Sequence, residues 1–302
     1  MYDIAIIGGG CAGLSAAIYA SRAGRNVILF ECENMGGQIT AAHLVENYPG
    51  IVSISGMEFA DSLYEQAVKY GTEIQFEKVL KITNKEESKE ILTEDTVYQV
   101  KAVIIATGSK HRKLMLPREE ELTGHGVSYC AVCDGAFFKG QDVAVVGGGN
   151  TALSDAIFLA GYCKKVYIIH RRGEFRAERR LVKSANQKEN IEFVLDSNVT
   201  ELIGEDELRE ITVTNSKDGA TRHISVAGLF VAVGQVPENA QFEDMGVVEE
   251  NGYIMADENG YTNESGIFAA GDCRDKKIRQ LTTAASDGAS AALSACEFIE
   301  GL

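Results

Sequence analysis

Four things are missing from this 302-residue chain, and each absence excludes a class of protein. No apolar run approaches the roughly 18 residues that a membrane-spanning helix needs. No secretory leader precedes the first structured segment: after Met1 the chain goes straight into "YDIAIIGGG", which reads as a buried strand. A cytoplasmic protein is therefore expected, and there structural disulfides are rare. Positive charge is scarce, with 29 Lys and Arg against 44 Asp and Glu and a formal charge of −15. That balance favours solubility and repels nucleic acid and anionic membranes, local basic patches aside. Finally, there is no second C-x-x-C to complete the one at Cys130 and Cys133. What remains is ordinary globular composition, 45% hydrophobic and 24% charged, in a length that suits two domains with a core each.

The chain contains itself. Residues 3–18 read "DIAIIGGGCAGLSAAI" and residues 142–157 read "DVAVVGGGNTALSDAI", identical at nine of sixteen positions with a constant offset of 139. Both run apolar strand, glycine turn, then a small-residue helical segment, and both carry G-x-G-x-x-[GA]. The members are Gly8, Gly10 and Gly13 in the first copy and Gly147, Gly149 and Ala152 in the second. In this motif the first glycine makes the turn and the second lets the backbone approach a pyrophosphate. The third position keeps helix and strand close, and the helix N-terminus offers free N–H groups to the anion. A lone copy is weak; two copies, each between a strand and a helix, predict two dinucleotide sites.

The next strand of each copy predicts which nucleotide. The first ends in "ECE" with Glu31 placed to accept hydrogen bonds from adenosine ribose hydroxyls, as FAD or NAD would require. The same offset carries Glu31 onto His170, so "HRR" replaces "ECE". A carboxylate would repel a 2′-phosphate, whereas Arg171 and Arg172 would bind one through charge-assisted hydrogen bonds, with Arg176 closing over it. The bland reading is a solvated basic helix, because eight Lys and Arg stand between residues 164 and 183 with only two acids. Confinement of that cluster to the ribose-reading position of a strongly acidic chain favours NADP(H).

Later segments suggest nesting. "VIIATGS" (103–109) and "GLFVAVG" (228–234) are counterpart strands, "YTNESGIFAAGDC" (261–273) adds another, and "IRQLTTAASDGASAALSACEFI" reads as a closely packed helix. The expected organisation is α/β, two nested Rossmann-like dinucleotide-binding domains. Residues 1–114 and 245–302 would form a discontinuous FAD-binding domain, and 115–244 an inserted NADPH-binding domain, with linkers near 111–118 and 236–246. The polar stretch 84–98 reads as a solvent-edge hairpin without chemistry.

"YCAVCDG" (129–135) admits three readings. Zinc needs four ligands, and the nearest histidine is the isolated His125, so no metal site is expected. A structural disulfide suits neither the compartment nor so short a loop. A redox dithiol fits best, since C-x-x-C near a βαβ pattern lowers one thiol's pKa and closes readily to a disulfide. Asp134 is placed to supply the proton of each exchange; its bland role is a turn acid. The other five cysteines read as small buried hydrophobes or free thiols.

Taken in order, "GGGCAGLSAA", "MGGQ" (35–38), "ENYPG" (46–50), "IIATGS", "CAVCDG", "GGGNTA", "HRRGEFRA", "AAGD" and "RQLTTAASDG" resemble the low-molecular-weight thioredoxin reductases over essentially the whole chain. The resemblance implies a homodimer holding FAD and NADPH. It implies a relay in which NADPH reduces FAD, the reduced flavin opens the cysteine pair, and the dithiol reduces thioredoxin. Cys133 would face the flavin, Cys130 would attack the partner's disulfide, and Asp134 would be the acid–base residue. Gln38, Asn47, Thr107, Gly108, Asp272, Arg279 and Gln280 would join Glu31 around FAD, and Asn150, Thr151 and Ala152 would line the NADP pyrophosphate. The cysteines sit on the inserted domain yet must reach the flavin, which the family resolves by rotating that domain between two states. Val132 departs from the Thr more usual there, and Ala136 precedes the aromatic pair Phe137–Phe138. Neither an N-terminal thioredoxin-like extension nor an extra C-terminal cysteine pair is present. Rival readings are a ferredoxin-dependent relative, an NAD(P)H oxidase and a flavin-bound redox sensor.

Overall fold

A computed structural model describes residues 1–42, 44–85 and 88–301. The chain forms two compact units, Met1–Lys110 with Val236–Leu302, and His111–Gln235. The second crossing lies ahead of the expected 244/245 boundary because Phe242 is fully buried among Ile254, Val247 and Ile267 of the first unit's core. Among the described residues no helix is long and apolar enough to cross a membrane.

In the first unit, five parallel strands run in the order Glu73–Gln75, Val27–Phe30, Tyr2–Ile7, Val97–Ile105, Ile267–Ala269. Their residues are almost continuously apolar because both faces are covered, as parallel sheets require. The strand Val97–Ile105 divides its outer edge between two partners. Its first half pairs antiparallel with Lys89–Thr93, and its second half pairs parallel with Ile267–Ala269. Lys89–Thr93 pairs in turn with Val79–Asn84. The stretch 84–98, expected as an edge hairpin, thus contributes the strand Lys89–Thr93 and the start of Val97–Ile105, and the antiparallel pairing extends beyond it to Val79; residues 86 and 87 lie outside the described residues.

Helices Cys11–Arg22 and Leu281–Glu300 cover one face and pack directly on each other. Their small residues allow the approach: a Cβ on Gly288 would stand 2.1 Å from the Ala12 carbonyl oxygen. Helix Gly56–Lys69 is started by a capping box, in which the Glu58 N–H donates to Ser55 Oγ and Ser55 N–H to the Glu58 carboxylate.

The second unit repeats the plan. Its parallel strands run Ile191–Val194, Lys165–Ile169, Asp142–Val146, Gly228–Val231, Val127–Ser128. Helix Asn150–Leu159 follows the central strand, and an antiparallel sheet of Ser197–Ile203, Glu210–Asn215 and Thr221–Ser225 is added. In each unit the strand order reverses beside the strand that leads into the glycine motif, which is where open α/β sheets bind ligands.

Candidate functional site

The two glycine turns are built alike down to single hydrogen bonds. Gly8 N–H donates to Phe30 O and Ala106 N–H to Ile7 O; Gly147 N–H donates to Ile169 O and Ala232 N–H to Val146 O. The first glycine is required by the turn itself. A Cβ on Gly8 would lie 2.4 Å from Ala106 O, and one on Gly147 2.3 Å from Ala232 O. The third position is also set internally, since a Cβ on Gly13 would lie 1.8 Å from Gly8 O, whereas Ala152 is accommodated and fully buried.

The second glycine is different. A Cβ on Gly149 would touch nothing within 4 Å, and one on Gly10 would find only ordinary contact with Gly36 O at 3.9 Å. Neither has a positive φ. The protein's own fold does not need glycine at either place; the bare backbone leaves room for something outside the chain. Both residues cap helices without any side-chain cap, so the first-turn N–H groups beside them are left for an acceptor. Both turns have the form that a pyrophosphate would fit.

Around the first cradle, Glu31 is fixed by three backbone donors, Gly9 N–H at 2.7 Å, Cys32 N–H at 2.8 Å and Glu33 N–H at 2.7 Å. Gln38 Nε2 donates to Ser109 O at 2.7 Å, and Asn47 Nδ2 donates to Gln280 Oε1 at 3.3 Å, a bond that joins two of the expected residues. Thr107 Oγ1 donates to Asn239 Oδ1 at 2.8 Å, while Gly108 holds the adjoining left-handed turn at φ 71°. Asn239, fully buried, also ties Gly252 O and Cys273 O, which sequence reading placed in a polar linker and missed.

Asp272 Oδ1 is buried with no hydrogen-bond partner, as is Arg279 Nε. Burial pushes the Asp272 carboxyl up, with Lys276 and Arg279 opposing. Arg279 lies 4.5 Å over the Tyr253 ring. A buried acceptor and a buried donor left unpaired on one segment fit a polar ligand of the flavin kind. Asp287 holds this wall together, accepting from Gly271 N–H at 3.0 Å, Arg274 Nη1 at 2.9 Å and Lys276 Nζ at 2.8 Å.

At the second cradle His170 occupies the place of Glu31, and the structure gives it a packing role. Its ring fills the space over Gly148, where a Cβ would be 2.1 Å from His170 Cε1, and it stacks on Phe175 at 5.3 Å. Burial pushes its pKa down, opposed by its hydrogen bond to Glu174 O and reinforced by the neighbouring arginines. Arg171, Arg172 and Arg176 are exposed, and none is ion-paired with a carboxylate among the described residues. Arg176 N–H donates to Gly148 O at 2.8 Å, folding the loop back onto the glycine turn. Asn150 is tied to Glu178 by two hydrogen bonds, Thr151 is exposed, and three free guanidiniums stand where a phosphate would be read.

The redox centre lies in the second unit. Cys130 and Cys133 form a disulfide with Cα atoms 5.3 Å apart. Cys130 caps the short helix Ala131–Asp134, and Cys133 N–H donates to Cys130 Sγ at 3.2 Å. Asp134 is partly buried, and burial raises its pKa, partly offset by the Ser128 hydroxyl, which donates to Asp134 Oδ2 at 2.6 Å. The same hydroxyl accepts from Cys130 N–H at 3.0 Å, so Ser128 ties the acid to the cysteine backbone. Val132 and Phe137 leave exposed apolar surface beside the disulfide. The remaining five cysteines are free, four of them buried and Cys32 exposed.

These features recur in known proteins. The model of the pyridine nucleotide-disulphide oxidoreductases matches residues 2–288. A thioredoxin reductase of Listeria innocua is 41% identical over 303 residues, spanning 100% of this chain and 95% of its own. A Clostridium pasteurianum protein described as a 34.2 kDa protein in the rubredoxin operon is 45% identical over 300 residues, 99% of this chain and 97% of its own. The crystal structure of thioredoxin reductase from Streptococcus pyogenes superposes with a TM-score of 0.96 at 42% identity, covering 100% of this chain and 99% of that one. The chain belongs to the pyridine nucleotide-disulphide oxidoreductase family, among the thioredoxin reductases.

Proposed function

We propose that this chain is an NADPH-dependent flavoprotein that reduces the disulfide of a thioredoxin or thioredoxin-like protein. FAD is assigned to the discontinuous unit and NADPH to the inserted one. The observation that carries the reading is the accessible Cys130–Cys133 disulfide with Asp134 beside it, in a chain that also holds two glycine cradles. Gly8, Gly10, Gly13, Glu31 and the Asp272–Arg279–Gln280 segment would hold FAD. Gly147, Gly149, Asn150 and the three arginines would hold NADPH. When bound, the flavin supplies the electron pair that opens the disulfide.

The chain's own residues do the rest. Negative charge on Cys130 Sγ finds the Cys133 N–H already directed at it, which favours Cys130 as the thiolate nucleophile. Its attack on the partner's disulfide forms one S–S bond and breaks another, and the released sulfur takes a proton from Asp134, whose burial raises its pKa and so favours that role. Cys133 then gives up its thiol proton, which passes to the second leaving sulfur, and attacks Cys130 Sγ, restoring the internal disulfide and releasing the second thiol. The partner gains two electrons and two protons.

Because the cysteines lie in the unit assigned to NADPH, the reading includes a turn of that unit about the crossings at 110/111 and 235/236. It also includes a homodimer in the cytoplasm, as the resemblance implies. The free guanidiniums at residues 171, 172 and 176 favour NADPH over ferredoxin as donor.

The test is anaerobic. The purified flavoprotein is titrated with NADPH while flavin absorbance is followed, and excess oxidised thioredoxin is then added. Bleaching followed by recovery, with thioredoxin thiols appearing in step, supports the relay. A flavin left oxidised by NADPH defeats the choice of donor, and a bleached flavin that thioredoxin does not restore defeats the choice of acceptor.

A further inference from the structure

Ten residues before Tyr129 a fully enclosed carboxylate does work that neither nucleotide site accounts for. Glu119 is 2% exposed. It accepts Leu114 N–H and Met115 N–H at 2.8 Å each and Leu116 N–H at 3.4 Å. It also accepts the Tyr129 hydroxyl at 2.8 Å. One carboxylate thus gathers three consecutive amides of the segment by which the chain enters the inserted unit, and the side chain immediately before Cys130.

The surrounding backbone is held against its preference. Met115 and Arg118 are at φ 62° and 66°, a region unfavourable to side chains with a Cβ. Such conformations persist when neighbouring bonds over-determine them. Here the bonds are those to Glu119, and those of the Arg118 guanidinium to Gly204 O and Glu205 O. Tyr129 is fixed from its other side by the His111 ring, stacked at 5.1 Å and 25°. His111 is the first residue of the unit. Strand Val127–Ser128 leads straight through Tyr129 to Cys130, so any looseness at Tyr129 is passed on to the sulfur.

We infer that Glu119 and Tyr129 are positioning residues for the dithiol: their hydrogen bond ties the 114–116 turn to Cys130 and fixes where Cys130 Sγ meets an incoming disulfide. This rests on the reductase reading above. Thiol–disulfide exchange needs three sulfurs in line, and a misplacement of about 1 Å can cost up to a hundredfold in rate.

The experiment uses the holoenzyme and Tyr129→Phe, which keeps the ring, its stacking on His111 and its packing, and removes only the hydroxyl. Three rates are measured: NADPH reduction of the flavin by stopped flow, steady-state turnover with ferricyanide taking electrons directly from the flavin, and turnover with oxidised thioredoxin. The expected result is a kcat for thioredoxin reduced about tenfold, with KM for NADPH and the ferricyanide rate within twofold of wild type. Glu119→Gln, which still offers a carbonyl oxygen to the amides, should show the same split, and the double variant should be no worse than the poorer single one. Equal loss of all three rates, or a lowered Tm with thioredoxin turnover unchanged, overturns the inference and leaves a purely structural bond. A wild-type enzyme that reduces ferricyanide but no thioredoxin would instead defeat the reductase reading, a separate result from either.

Discussion

The Ser128 hydroxyl stands 2.6 Å from Asp134 Oδ2 and 3.0 Å from the Cys130 nitrogen, so one small side chain ties the Asp134 carboxylate to the backbone of Cys130.

A pH dependence follows. Burial raises the Asp134 pKa, and the Ser128 donor opposes that rise by favouring the ionised form. If the protonated acid is what serves the leaving sulfur, thioredoxin turnover is retained below the raised pKa and falls as pH climbs through it. Ser128→Ala removes that donor, so the falling limb should move to higher pH. Asp134→Asn should abolish that limb and slow exchange by about a hundredfold, the lower end of what general acid catalysis contributes. A pH profile of kcat with thioredoxin, set against the ferricyanide rate as control, reads both.

Gly149→Ala separates a ligand requirement from a folding requirement. Since a Cβ there meets no atom of the protein, stability should change by no more than about 0.5 kcal/mol. KM for NADPH should nevertheless rise, because the methyl occupies the room left for the pyrophosphate. Gly147→Ala should fail earlier, in folding, through the clash with Ala232 O. Thermal melts beside NADPH titrations decide it, and an unchanged KM in Gly149→Ala would remove the cradle from the NADPH assignment.

Arg171→Ala and Arg172→Ala should each raise KM for NADPH by roughly tenfold to a hundredfold, the worth of one charge-assisted hydrogen bond at about 1.5–3 kcal/mol. KM for NADH should hardly move, and the salt dependence of NADPH binding should flatten. His170→Ala should behave otherwise, lowering the melting temperature through the space opened over Gly148 and not through charge.

Asp287→Ala should be the most damaging change outside the redox centre. It strands Arg274 and Lys276, both largely buried, and removing one partner of a buried ion pair costs about 3–5 kcal/mol. The Gly271 N–H loses its acceptor as well. Earlier flavin release on heating, seen as fluorescence, is the expected sign; Asp287→Asn should lie between the variant and wild type.

Much of this was legible in the letters because it rests on local rules. A glycine turn between strand and helix is written in consecutive residues, and the offset of 139 carried the reading from one copy to the other. The same offset put His170 opposite Glu31, but only coordinates show that one anchors on three amides while the other is packed against Gly148. Ser128, Glu119, Asn239 and Asp287 could not be found in that way. Their partners are fixed by tertiary packing, and a Ser before an aromatic or an Asp within an Ala-rich helix carries no signature of its own. The second crossing was placed late for a similar reason, since "VPENAQFEDMG" is polar on average and its single Phe, Phe242, is buried in the first unit's core.

The outer edge of the strand Val97–Ile105, shared between a hairpin that precedes it and a segment more than 160 residues later, has a consequence for synthesis. While the chain emerges, half of that edge is satisfied at once by Lys89–Thr93 and the other half stays open. It waits for Ile267–Ala269, and the helix Cys11–Arg22 waits longer still for Leu281–Glu300 to cover it. In that interval the inserted unit, whose five-stranded and three-stranded sheets are complete within residues 127–231, has what those sheets need to close. The nascent protein therefore spends part of its life with a finished domain hanging from an unfinished one, and the first motif is shut only by a helix made some 260 residues after it.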